Sequence, residues 1–233
     1  MEFDRFGDDS DPDLLFVLGW GNRPTHEPVR WLLDRLVENW QVHTATLPVH
    51  VTDVQREWVA PVAAYAADLT DPAVLAHSAG GLSVAHADVD ARTTTYLSPW
   101  WGFSPTTSGR MLDIVARIPL DRKLLPSGID GASLLGEYAT ERQVADGADR
   151  VSPPFLRTVQ QAHRTLPTIG DDAVVFCSLT DQVVSTQAIG ERVPAERICL
   201  YDGGHELFSS RSRDRHLDTL RAVLSEGAAG LEA

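Results

Sequence analysis

The chain has 233 residues, with 33 Asp plus Glu against 20 Lys plus Arg and a formal charge of −13. At 43% hydrophobic residues it can build a full core, which excludes a disordered chain and a disulfide scaffold. The acid excess argues against nucleic acid and anionic membranes, which need clustered cations, and no stretch nears the roughly 18 apolar residues of a membrane span.

In chain order, residues 1–13 carry six acids and read as a solvated lead-in. Leu14-Leu15-Phe16-Val17-Leu18 follows, an unbroken apolar run typical of a parallel strand buried on both faces. Pro28 opens a helix with Val29, Leu32, Leu33, Leu36, Val37 and Trp40 on one stripe. Residues 42–47 predict a second strand and 53–69 a second helix, with a kink at Pro61. Residues 73–76, 93–97, 173–177 and 197–201 supply four more strands, and 213–224 a closing helix. This alternation predicts a mostly parallel central sheet with helices on both faces, in the α/β class.

One stretch breaks the rhythm. Residues 100–154 hold no convincing strand, only helical pieces over 111–118 and 132–140 among scattered Gly and Pro. A structureless loop of that length does not fit a compact domain. The expectation is a small helical insertion, with residues 1–99 and 155–233 forming the core domain.

The N-terminus lacks the basic start and apolar stretch of a signal peptide, so a soluble, cytoplasmic protein is expected. Lys123 is the sole lysine beside nineteen arginines. Acid excess with lysine scarcity points to a halophilic source, because molar salt screens the repulsion between carboxylates; a GC-rich genome would also replace Lys with Arg but would not by itself create the acid excess. Cys177 and Cys199 lie in apolar runs and read as reduced, buried thiols.

The most informative segment is Val74-Leu75-Ala76-His77-Ser78-Ala79-Gly80-Gly81. It places a serine where a buried strand turns into a helix, with small residues around it. Side chains at −2 and +2 of so tight a turn are expected to collide, and the helix that starts there aims its first amides at the serine. An ordinary turn with a capping serine would look similar.

A serine hydroxyl is a weak nucleophile; it needs a base, and the base an orienting acid. On a parallel sheet such groups gather at the carboxyl ends of strands. The loop after the fifth strand carries Asp181 and the loop after the sixth carries His205, preceded by Gly203-Gly204. Asp202 lies too near His205 in sequence to orient it, and Asp171-Asp172 precede their strand. His77 at −1 should point away from the serine and pack. His26, His43, His50, His86, His163 and His216 have no ligand spacing and read as surface or helix histidines, so no metal is expected.

With these motifs in order, the chain resembles the α/β-hydrolase family over roughly residues 13–225. The matched features are the Ala-His-Ser-Ala-Gly-Gly elbow, the Asp-Gln-Val-Val acid loop, the Gly-Gly-His-Glu-Leu-Phe histidine loop, and Leu18-Gly19-Trp20-Gly21-Asn22 after the first strand. The elbow departs from the family pattern at −2, where Ala76 stands for glycine. The last segment looks like the oxyanion loop, with Leu18 where the family has histidine.

The resemblance implies a catalytic triad of Ser78, Asp181 and His205, with the amides of Trp20 and Ala79 as oxyanion hole. It makes residues 100–154 a cap and Trp100, Trp101 and Phe103 an apolar wall for an acyl or aryl group. The implied activity is hydrolysis of a carboxylic ester or thioester of a small to medium substrate, without cofactor. A lyase or acyltransferase on the same triad, or a non-catalytic ligand-binding member, are the alternatives. Oligomeric state is not legible.

Overall fold

The computed structural model describes residues 1–105, 114–118, 120, 122–128 and 131–232. Seven strands form one sheet: β1 (Glu2–Phe6), β2 (Asp13–Val17), β3 (Gln41–Thr46), β4 (Ala73–His77), β5 (Thr93–Leu97), then Val174–Cys177 and Ile198–Leu200, spatially in the order first, third, second, fourth, fifth, then these last two. All neighbours are parallel except β1 and β3.

Each central strand alternates its side chains between two cores, as the period of two requires. Leu15, Val17, Val74, Ala76 and Val175 face the helices of residues 55–66, 79–87 and 153–164. Leu14, Phe16, Leu75, Val174 and Phe176 face Glu27–Leu36 and Arg213–Glu226, including Leu32, Leu33, Leu36 and Val223. Covering on both sides explains why the strands read as unbroken apolar runs. Among the described residues, no helix is long and apolar enough to cross a membrane.

Several expectations need correction. The acidic lead-in is in part strand β1, pairing antiparallel with β3. Phe3 stacks on Tyr65 with 4.0 Å between centroids, and Phe6 packs into the opposite core. The charged Asp4 and Arg5 between them mask the pattern. Pro61 is met by a π turn over Gln55–Val59, closed by the Ala60 N–H donating to Gln55, before Ala60–Ala66 continues as α-helix. The wider turn accommodates a residue that has no N–H to donate and a ring that crowds the preceding turn.

The stretch expected to lack strands contains a short antiparallel ladder, Leu125–Pro126 with Arg150–Val151. Two residues per strand are too few to show a period. The helix expected over 132–140 stops at Leu135, before Gly136. A separate helix, Glu141–Asp146, starts at Thr140 with a reciprocal capping box to Gln143. Residues 111–113 of the other expected helix lie outside the described residues. Helix Pro153–Arg164, capped by Ser152, straddles the division expected between residues 154 and 155, and it buries Phe155, Leu156 and Val159 in the core.

Candidate active site

β4 ends at His77, and Ser78 turns the chain into helix Ala79–Ala87 with φ 51° and ψ −117°. A positive φ is rare for a residue with a Cβ and costs roughly 1–3 kcal/mol. Backbone bonds hold it: the Ser78 N–H donates to Leu97 O at 3.0 Å, and Ser78 O accepts from the amides of Leu82 and Trp100. Glycine at +2 is required by the neighbouring strand: a Cβ on Gly80 would stand 2.3 Å from the Val17 carbonyl oxygen.

Ser78 Oγ lies 2.9 Å from His205 Nε2, and His205 Nδ1 lies 2.8 Å from Asp181 Oδ2. The three residues span 127 positions of sequence, yet their loops are bonded to one another. Asp181 Oδ1 accepts from the amides of Val183 and Val184 at 2.8 and 3.1 Å. The hydroxyls of Ser178 and Thr180 both donate to Gly203 O. Gly203, at φ +158°, packs so closely on Ser210 that a Cβ would lie 2.1 Å from its Oγ. Tyr201 donates to His205 O at 2.8 Å and lies within hydrogen-bond distance of Ser98 Oγ.

Burial pushes the Asp181 carboxyl up, but His205 and the two amides outweigh it and hold it below the ordinary carboxylate value. For His205, burial pushes down, while Asp181 and Glu206 prevail and hold the imidazole above its ordinary 6.5. His77 is buried with its ring 5.0 Å from that of His205, and desolvation holds it well below the usual range. His26 and His43, expected at surface or helix positions, are buried. They lie within 2.9 Å of Asp146 and Asp13 respectively.

Sequence reasoning missed a second carboxylate. Glu206, only 1% exposed, accepts from Asn22 Nδ2 at 2.9 Å, from Gln143 Nε2 at 3.0 Å and from the Ser209 hydroxyl. Three donors suit an acceptor-only, ionised carboxylate. Gln143 also donates to Asn22 Oδ1 at 3.3 Å. One buried anion therefore joins the Gly19-Trp20-Gly21-Asn22 loop, the histidine loop and helix Glu141–Asp146. The signals available were an acid inside the run His205-Glu206-Leu207-Phe208 and the Thr140…Gln143 capping pair. The insertion also binds the histidine loop through backbone: the amides of His205 and Glu206 donate to Leu134 O and Leu135 O at 3.0 and 2.8 Å.

Ser78, His77 and His205 open on a cavity of about 560 Å³, within the roughly 300–1,000 Å³ of small-molecule sites. Trp100, Phe103, Phe155, Leu156 and Val183 form an apolar wall, while Asn22, Gln143 and Glu206 make a polar one. Trp20 also lines the cavity, its indole donating to Val49 O at 2.9 Å and stacking on Phe155. Ala79 is fully buried at the first turn of its helix. Trp101 is the exception among the predicted wall residues. It is 1% exposed, donates to Gly81 O and packs edge-on to Tyr96, so it fills the core beneath the elbow instead of facing the cavity.

No protein-family model matches the sequence, and no curated protein sequence matches it significantly. Solved structures do match, at low identity and over nearly the whole chain. A monoacylglycerol lipase of Paleococcus ferrophilus superposes with TM-score 0.71 at 17% identity, covering 98% of each chain. A soluble variant of monoglyceride lipase from Saccharomyces cerevisiae gives 0.69 at 14% identity, over 96% of this chain and 91% of that one. An alpha/beta hydrolase fold protein from Burkholderia ambifaria gives 0.60 at 16%, covering 91% and 90%. The architecture of this chain, a mostly parallel seven-stranded sheet between two helical layers, is the α/β-hydrolase fold.

Proposed function

We propose that this protein is a serine hydrolase that cleaves a carboxylic ester or thioester of a small to medium substrate through an acyl-enzyme on Ser78. The observation that carries the reading is the unbroken chain from Ser78 Oγ through both nitrogens of His205 to Asp181, facing a cavity with one apolar wall. His205 Nε2 takes the hydroxyl proton as Ser78 Oγ attacks the carbonyl carbon. Asp181 stabilises the imidazolium so formed and keeps the ring in the productive tautomer. The amides of Trp20 and Ala79 receive the oxyanion; losing one such donor typically costs about 3–4 kcal/mol in the barrier. Collapse expels the alcohol or thiol, protonated by His205, and water activated by the same nitrogen then releases the acid.

Trp100, Phe103 and Phe155 would enclose the acyl or aryl group, with residues 100–154 acting as a cap over it. Glu206 would serve as a positioning residue, holding the loop that bears Trp20 where Leu18 replaces the family's histidine. The names of the structural neighbours, lipases among them, support the ester class. The acid-rich, lysine-poor composition supports work at high salt, and a thermal midpoint that does not rise between low and molar KCl would oppose it.

The reading is tested by hydrolysis of p-nitrophenyl acetate, butyrate and octanoate, wild type beside Ser78→Ala. Turnover that vanishes in the variant, with an unchanged thermal midpoint, supports it. Equal turnover in both would remove Ser78 from the chemistry.

A further inference from the structure

A second cavity, of about 330 Å³, adjoins the first and shares Trp20, Val151 and Phe155 with it. Its chemistry differs sharply from that of its neighbour. Lys123, Arg150 and His50 line it, and Lys123, the sole lysine of the sequence, donates from Nζ to His50 Nε2 at 2.9 Å. Neither Lys123 nor Arg150 meets a carboxylate among the described residues, and Arg150 makes no side-chain hydrogen bond there. Among the described residues the one acid lining the cavity is Glu57, engaged through its Oε1. Its carboxylate accepts from the amides of Thr52 and Asp53 at 3.0 Å and pairs with Arg56 at 3.4 Å.

Two exposed cations that face one cavity and meet no carboxylate among the described residues stand out in a chain of charge −13, whose surface would otherwise repel anions. A guanidinium and an ammonium together offer a planar fork and a point charge, the donor set for carboxylate or phosphate oxygens. We propose that this second cavity seats an anionic group, carboxylate or phosphate, carried by the substrate of the Ser78 site. The inference rests on the ester-hydrolase reading of that site and specifies its substrate class: an ester whose distal end is negatively charged. Trp20 would then stand at the junction, its backbone serving the oxyanion and its indole dividing the reacting end from the charged end.

The test compares matched anionic and neutral pairs in the wild type and in a Lys123→Gln/Arg150→Gln variant at one fixed KCl concentration. The pairs are the butyrate esters of hydroxyhexanoate and hydroxyhexanamide, the butyrate monoesters of hexanediol monophosphate and of hexanediol, and monoethyl suberate against ethyl hydroxyoctanoate. The expected result is a preference of about tenfold or more in kcat/KM for at least one anionic member, falling to near unity in the variant. The pair that shows it separates carboxylate from phosphate, and acyl-side from alcohol-side charge. Turnover of the neutral esters with no anionic preference, or a preference that survives the variant, overturns the inference while leaving the ester-hydrolase reading intact. Silence on every ester condemns that reading instead, and affinity then decides alone. Calorimetry with suberate and inorganic phosphate should show binding to the wild type that weakens about tenfold in the variant. No binding, or equal binding, overturns the inference.

Discussion

The two sides of the candidate site are built in different ways. On one side, Ser78, Asp181 and His205 stand on loops at the carboxyl ends of parallel strands, each loop short and braced by its neighbours. On the other, residues 131–147 contribute through backbone acceptors at Leu134 and Leu135 and through the amide of Gln143. Strand ends place side chains by register, which fixes chemistry. The insertion places them by hydrogen bonds to loops already formed, which fixes orientation and access. Damage to the first side should therefore appear mainly in kcat, and damage to the second in pH dependence, specificity and stability.

The largest expected effect is on the strand-end side. Asp181→Asn should lower kcat by about 10⁴-fold, because the amide cannot stabilise the imidazolium and favours the wrong tautomer. A near-normal rate would transfer the orienting role to another carboxylate.

The next contrast separates two adjacent tryptophans. Trp101→Ala empties a fully enclosed site under the elbow and should cost about 3–5 kcal/mol of stability, read from denaturant unfolding. Trp100→Ala should cost less stability and shift the chain-length preference, because its ring lines the cavity. The opposite pattern would reverse the assignment of core and wall.

A smaller effect tests the junction of the two sides. Only neutral His205 can accept the Ser78 proton, and its value lies above 6.5, so kcat/KM should rise with pH through a midpoint above 6.5. Glu206→Gln removes a negative charge that favours the imidazolium. The midpoint should move to lower pH, with about a tenfold loss of kcat from the loosened loop. A loss of rate with an unmoved midpoint would leave Glu206 a purely structural tie.

The same contrast explains what could be read from sequence. Runs such as Val74-Leu75-Ala76 and Val174-Val175-Phe176 announce buried strands because both faces are covered, and the residues after them inherit the site. β1 was hidden because only Phe3 and Phe6 mark it among charged residues. The contribution of Leu134 and Leu135 had no signature at all, since carbonyl oxygens are common to every residue. Glu206 stood beside His205 in plain view, but its value depends on Asn22 and Gln143, which are 184 and 63 residues away. Trp101 was misplaced because adjacent aromatics on a turn face different ways, which composition cannot show.

The central claim is that Ser78 is a nucleophile activated by His205. Labelling with a fluorophosphonate, followed by peptide mass mapping, tests it without knowledge of the substrate. The account predicts one equivalent of adduct on Ser78 in the wild type and none in a folded His205→Ala variant. Adduct on another residue, or equal labelling of Ser78 in both proteins, would contradict it.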